Sequence, residues 1–172
     1  MDACRPSRCP SSQYRTGTRH DQFGRPGSDP GGVVAANEKY KLPSTVLVPT
    51  MIYMLMDHPS LATTDVSSLQ TLYYGAAAMS PTRLKEGIAK FGHIFFQFYG
   101  QTECGMTISV LRKEEHLVED PARLATCGRP VPWPDVRPLD DDPNHVPAGD
   151  PGEICVRVPL ATTGCWKPAT RH

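Results

Sequence analysis

Between residues 33 and 105 the chain is a succession of short apolar runs, each stopped by proline or glycine. Residues 33–41 read as the end of a helix, and residues 44–48 (S-T-V-L-V) as a short buried strand closed by Pro49. Residues 50–57 predict a helix with Met51, Ile52, Leu55 and Met56 on one face, a stripe that reads as core rather than as a ligand surface. A second strand is expected over 69–74, running into Gly75. Ser80 and Pro81 then open a helix, because a serine hydroxyl caps free N–H groups and a proline in the first turn loses no hydrogen bond. Leu84, Ile88 and Phe91 supply its buried stripe and Gly92 its stop. Residues 94–99 (I-F-F-Q-F-Y) are a third, strongly β-prone strand that ends at Gly100.

Strand, helix, strand, helix, strand is the pattern of a parallel sheet in an α/β layer fold. Such sheets carry ligand loops at the carboxyl ends of their strands, which singles out residues 75–80 and 100–105. Beyond Gly105 the rhythm is lost. Residues 130–151 hold seven prolines around Asp140-Asp141-Asp142 and predict only turns and short edge strands, while residues 152–158 alternate well enough for one more strand. The expected fold class is therefore α/β, a partial parallel sheet with flanking helices followed by a short irregular β-rich region.

Residues 1–32 have a different texture, with five arginines, four prolines, five glycines, four serines and no Leu, Ile or Val. So little apolar surface cannot offset the entropy of ordering, so this segment is expected to be disordered or unrelated to the rest of the chain, with the domain proper at 33–172. Its abrupt composition is consistent with a misassigned start. Across the 172 residues, 18 Lys+Arg balance 18 Asp+Glu. That removes the electrostatic case for nucleic acid as a partner. No apolar run is long enough for a transmembrane helix and residues 1–20 lack a signal-peptide core, so a soluble, cytoplasmic chain is expected. Six scattered cysteines with no C-x-x-C pair read as reduced thiols, and six histidines with no short-spaced pairing give no zinc pattern. A serine hydrolase finds no support, since no G-x-S-x-G occurs.

The segment with most chemical content is Tyr99-Gly100-Gln101-Thr102-Glu103, at the end of the third strand. A glycine there lets backbone approach a ligand, a threonine offers a hydroxyl and backbone donors to phosphate oxygens, and a glutamate is a hard oxygen ligand for phosphate-bound Mg²⁺. Taken alone, the same residues also describe an ordinary strand-to-loop turn with a solvated glutamate. Their order along the chain carries more. Tyr74-Gly75-Ala76-Ala77-Ala78-Met79-Ser80 precedes them by 25 positions, and Cys127-Gly128-Arg129-Pro130 and Gly149-Asp150-Pro151-Gly152-Glu153-Ile154-Cys155-Val156-Arg157 follow.

In that order and spacing the chain resembles the adenylate-forming (AMP-binding) enzymes, most closely the fatty-acyl-CoA synthetases, over about residues 33–168. The resemblance implies a two-step reaction. A carboxylate attacks the α-phosphorus of ATP to give an acyl-adenylate and pyrophosphate, and CoA then takes the acyl group. It implies that Gly75, Ala76 and Ala77 lie against the adenine and the acyl tunnel, that Tyr99 and Gly100 flank the base with Gln101 also in the cofactor site, that Thr102 contacts phosphate, and that Glu103 holds Mg²⁺, the last two being the catalytic residues. Val48-Pro49-Thr50 matches the helix entry that borders the acyl pocket. Small residues at Ala76, Ala77 and Ala78 suit a tunnel for an apolar chain, and they suit plain helix–sheet packing equally.

Several family features have no counterpart here. The resemblance places a phosphate loop with its lysine before this region, and a ribose-binding aspartate, a hinge and a lysine-bearing small domain after it. The last motif departs from the family pattern as well, with Arg157-Val158-Pro159 where a glycine is usual and Gly164-Cys165-Trp166 where an aromatic residue is usual. Adenylyl transfer depends on positioning and charge stabilisation, so the expectation is an incomplete synthetase with no useful turnover alone. Its counterpart is a non-catalytic truncated relative that binds nucleotide or an acyl ligand weakly, or binds a partner synthetase; a complementing polypeptide is the partner that would supply the missing parts.

Overall fold

The computed structural model describes residues 29–105 and 108–164. Helix α1 (Pro30–Tyr40) leads into strand β1 (Ser44–Leu47) and helix α2 (Pro49–Met56). Strand β2 (Thr71–Tyr74), helix α3 (Pro81–Phe91) and strand β3 (Phe95–Tyr99) complete the βαβαβ run. Strand β4 (Ser109–Leu111), helix α4 (Pro121–Leu124) and strand β5 (Arg129–Pro130) extend the same sheet, whose order is β1-β2-β3-β4-β5. Strands β6 (Asp135–Leu139) and β7 (Glu153–Arg157) pair separately as an antiparallel ribbon.

The parallel expectation holds for β1, β2 and β3. Strands β4 and β5 join antiparallel and lie outside what the hydrophobic rhythm predicts, since runs of three and two residues are too short to show a period. Helix α1 starts at Pro30, three residues before the aliphatic pattern does, because proline suits a helix's first turn and needs no apolar stripe there. The expectation of disorder covers residues 1–32; it fails at residues 30–32, which belong to α1, where Gly32 is buried, and residues 1–28 lie outside the described residues.

Register decides which side of the sheet is core. Leu47, Tyr74 and Gln97 stand side by side, as do Leu72 and Phe95, and α1, α2 and α3 cover this face. Ile52, Leu55 and Met56 of α2 and Leu84 and Ile88 of α3 pack against it. The opposite face carries Val46, Tyr73 and Phe96; the two rings meet edge to face at 5.4 Å and Val46 is 65% exposed. Parallel sheets ordinarily have both faces covered; on this face Tyr73 and Phe96 are half-buried and Val46 is exposed.

Helix α3 follows its sequence signals. The Arg83 N–H donates to Ser80 Oγ at 3.2 Å, and Gly92, at φ +81°, ends the helix while its N–H bonds to the Ile88 carbonyl at 2.8 Å. Among the described residues no helix is long and apolar enough to cross a membrane, and no cluster of His, Cys, Asp and Glu could hold a metal ion. Cys104, Cys127 and Cys155 are free thiols.

Candidate functional site

Strands β2 and β3 are adjacent and parallel, so the loops that leave their carboxyl ends emerge from the same edge of the sheet. These are residues 75–80 and 100–105, the two segments singled out from sequence. Gly75 marks how closely the two strands approach. A Cβ at Gly75 would lie 2.6 Å from the Phe98 carbonyl oxygen and 2.8 Å from its ring, so no other residue fits without displacing β3. The glycine therefore has a packing role in this structure, between β2 and β3.

Ala76 takes φ +67°, the left-handed region that costs an ordinary L-residue roughly 1–2 kcal/mol. This turn directs Ala76, Ala77 and Ala78 to the exposed surface, after which Met79 returns to the core. The Ser80 N–H donates to the Tyr53 hydroxyl at 3.0 Å, tying the end of the loop to α2.

The second loop begins as β3 ends. Tyr99 and Gly100 are half-buried, and Gln101, Thr102 and Glu103 are exposed. Thr102–Cys104 form one tight 3₁₀ turn, closed by the Cys104 N–H on the Gln101 carbonyl at 3.0 Å. Cys104 turns inward, and Gly105 follows in the left-handed region at φ +49°. Gln101 Nε2 donates weakly to the Tyr99 hydroxyl at 3.4 Å. Among the described residues nothing bonds to the Thr102 hydroxyl or the Glu103 carboxylate, which leaves both groups open to a ligand.

A third segment reaches this loop from far along the chain. The Thr162 N–H donates to the Glu103 carbonyl at 2.8 Å. The intervening turn, where valine replaces the family's glycine, closes without left-handed backbone at Val158. The Ala161 N–H bonds the Val158 carbonyl at 3.1 Å. Losing the glycine there imposes no backbone strain. Cys165 and Trp166 lie outside the described residues.

The Cys127-Gly128-Arg129-Pro130 element has a structural explanation. Gly128 sits at φ +82°, and a Cβ there would lie within 1.8 Å of the Val110 carbonyl oxygen, so glycine is required for β5 to pair with β4. Arg129 reaches Glu115 at 3.2 Å. The Arg112 backbone N–H, then Arg123 and Arg129, hold the Glu115 carboxyl below its usual range.

Three residues near the two loops have no role assigned in the sequence reading. The Tyr74 hydroxyl lies 3.0 Å from His116 Nε2 and 3.2 Å from the Gln97 side-chain amide, and all three residues are buried. Gln97 was detectable as the one polar residue in an apolar strand. His116, 42 positions from Tyr74, carries no sequence signal for this contact.

Comparison with known proteins agrees with this geometry. The family model described as AMP-binding enzyme matches residues 22–166. The chain is 47% identical over 138 residues to the medium/long-chain-fatty-acid–CoA ligase FadD8 of Mycobacterium tuberculosis, covering 80% of this chain and 24% of that one. It is 35% identical over 138 residues to a feruloyl-CoA synthase of Amycolatopsis, covering 80% and 27%. The amide bond synthetase McbA from Marinactinospora thermotolerans superposes with a TM-score of 0.73 at 32% identity, covering 81% of this chain and 28% of that one. The chain thus spans about a quarter of the length of these relatives. The sheet-edge loops, the ordered motifs and the match over most of its length make this chain a member of the AMP-binding enzyme family.

Proposed function

We propose that this chain carries the adenylate-recognising part of a fatty-acyl-CoA synthetase. The observation that carries the reading is the pair of loops, 75–80 and 100–105, set at one sheet edge with the Thr102 hydroxyl and Glu103 carboxylate open to a ligand. The fatty-acid preference rests on the 47% identity to a medium/long-chain ligase, and the feruloyl-CoA synthase likeness keeps aromatic acids as the second substrate class.

In this reading Ala76 and Ala77 border the adenine and the acyl chain. Small exposed side chains there leave room for an apolar tail, and Gly75 holds the turn against β3. Tyr99, Gly100 and Gln101 flank the base, and the Thr102 hydroxyl donates to a phosphate oxygen. Glu103 offers one carboxylate to Mg²⁺. A single carboxylate suits a metal that arrives on ATP, since Mg²⁺ on nucleotides takes one or two protein carboxylates and fills its shell with phosphates and water. Bound there, Mg²⁺ would supply neutralisation of phosphate charge; the chain's own part is to orient the α-phosphate and the acid.

The phosphate loop, ribose anchor and small-domain lysine of the family come from outside the residues matched here, in a longer chain or a complementing polypeptide. The exposed Val46 on the sheet face that carries Tyr73 and Phe96 supports a covering element of that kind. On this reading the two loops contribute adenylate recognition, and the three free thiols among the described residues fit a reducing, cytoplasmic setting.

Photolabelling with 8-azido-ATP and Mg²⁺, followed by peptide mapping, tests the proposal. The expected label falls on peptides containing residues 75–80 and 99–105 and is competed by a fatty-acyl sulfamoyl adenosine. Label that is diffuse, or insensitive to that competitor, would contradict it.

A further inference from the structure

Beneath the two loops lies a polar cluster that the proposed chemistry does not use. Tyr74 is the last residue of β2 and immediately precedes Gly75. Gln97 lies in β3, three positions before Gly100, and its amide end is 3.2 Å from the Tyr74 hydroxyl. His116 approaches from beyond β4 and places Nε2 3.0 Å from the same hydroxyl. Its other nitrogen, Nδ1, is 2.7 Å from the Arg112 carbonyl. The His116 ring also packs on Tyr74 and Phe95, at centroid distances of 5.8 and 6.4 Å.

Proton bookkeeping fixes the direction of this chain of bonds. A carbonyl only accepts, so His116 Nδ1 carries a proton and donates it to Arg112. Burial drives His116 toward its neutral form, which leaves a lone pair on Nε2. The single Tyr74 hydroxyl proton goes to that lone pair, and the same burial raises the Tyr74 pKa and keeps the phenol protonated. Gln97 Oε1, 3.2 Å from the phenol oxygen, is the second acceptor open to the same proton. Each of the three side chains thereby has a partner without any ligand.

Such a network is demanding where apolar packing is tolerant. Leucine and phenylalanine fill a core in more than one arrangement, whereas a buried hydroxyl between two specific partners is satisfied in one. We propose that Tyr74, Gln97 and His116 are positioning residues: through the Tyr74 hydroxyl they lock the ends of β2 and β3, and so set the relative placement of the 75–80 and 100–105 loops. They touch no substrate and act through the backbone of the two strands. That the loops so placed receive a nucleotide rests on the function proposed above.

Tyr74→Phe removes one oxygen and leaves the ring, so it isolates the hydrogen bonds from the packing. Hydrogen exchange by mass spectrometry on the ligand-free 172-residue chain is the primary readout. Exchange at 75–80 and 100–105 is expected to rise roughly three- to tenfold, the size of one net hydrogen bond, with β1 and α3 changing much less. A merely structural role would raise exchange in proportion everywhere; that result, or no change, overturns the proposal. If Tyr74→Phe does not fold, His116→Leu and His116→Gln carry the same comparison. Glutamine can donate to Arg112 and accept from Tyr74, so it is expected to restore protection that leucine loses, and equal behaviour of the two overturns the proposal. Titration of each variant with Mg²⁺-ATP separates this inference from the function. A wild-type chain that binds no nucleotide yet shows the localised exchange defect in the variant refutes the function and leaves the positioning role standing. A variant that binds and exchanges like wild type does the reverse.

Discussion

The backbone N–H of Thr162 donates to the carbonyl of Glu103 at 2.8 Å, joining the most informative motif of the sequence to a turn 59 positions further on. In the function proposed above, Glu103 also supplies the carboxylate for Mg²⁺. The carbonyl held by Thr162 and the side chain offered to the ligand therefore belong to one residue, so the far turn bears directly on where that carboxylate sits.

Removing the Thr162 donor should loosen this loop. Thr162→Pro deletes the N–H, and the Glu103 carbonyl then loses a bond worth about 1 kcal/mol. Faster amide exchange at residues 102–105 and a severalfold weaker response to Mg²⁺ in nucleotide binding are the expected results. Unchanged exchange would show that the turn holds nothing in place.

Gly75→Ala should destabilise the chain by about 1–3 kcal/mol, because the new methyl meets the Phe98 carbonyl oxygen at 2.6 Å and overpacked sites cost that much. Urea denaturation of the variant beside wild type measures it. A loss below about half a kcal/mol would mean that β2 and β3 can separate freely, within the scatter of ordinary surface changes.

Ala76→Gly should act in the opposite sense. Glycine enters the left-handed region without the Cβ penalty that alanine bears at φ +67°, against a smaller entropic loss of about 0.5–1 kcal/mol. The net expectation is a gain of up to about 1 kcal/mol in the same denaturation experiment. If the extra freedom also blurs the loop, affinity for the acyl-adenylate mimic falls while stability rises, the pattern expected of strain held at a binding turn.

Acid should weaken the fold through His116. Its folded pKa is depressed from 6.5, chiefly by burial, so above about pH 6.5 folded and unfolded chains alike hold it neutral and its contribution is complete. As pH falls below that value the unfolded chain takes up a proton that the folded chain resists, and stability drops by up to about 1.4 kcal/mol per pH unit until the folded site titrates too. Glu115, whose folded pKa is also depressed, adds its own loss only below its ordinary 4.5. Denaturation midpoints at pH 7.5, 6.5 and 5.5 should decline for wild type and stay nearly flat for His116→Gln.

Much of this architecture was legible because its signals are local. Ser80, Pro81 and Gly92 bound α3 as capping chemistry requires, and the apolar runs before Gly75 and Gly100 became adjacent parallel strands. Strands β4 and β5 were not legible, since their pairing depends on Gly128 passing close to Val110, a contact between residues 18 positions apart. The site divides in the same way. Thr102 and Glu103 announce themselves as exposed polar residues after a buried strand, whereas Tyr74 reads as one more β-prone aromatic until His116 arrives from 42 positions away. Gly75 shows the converse limit, for the motif marks the position and only the packing of Phe98 explains why glycine stands there.

Calorimetric titration of the 172-residue chain with a fatty-acyl sulfamoyl adenosine, a stable mimic of the acyl-adenylate, tests the central claim most directly. Saturable one-to-one binding is predicted, about tenfold weaker in Thr102→Ala, as expected for loss of a hydrogen bond to a charged phosphate-like group. Companion titrations with Mg²⁺-ATP should show a Mg²⁺ dependence that disappears in Glu103→Gln, and both variants should melt like wild type because the two side chains are exposed. Absence of saturable binding by the folded wild-type chain, or identical binding by the wild type and both variants, would contradict the account.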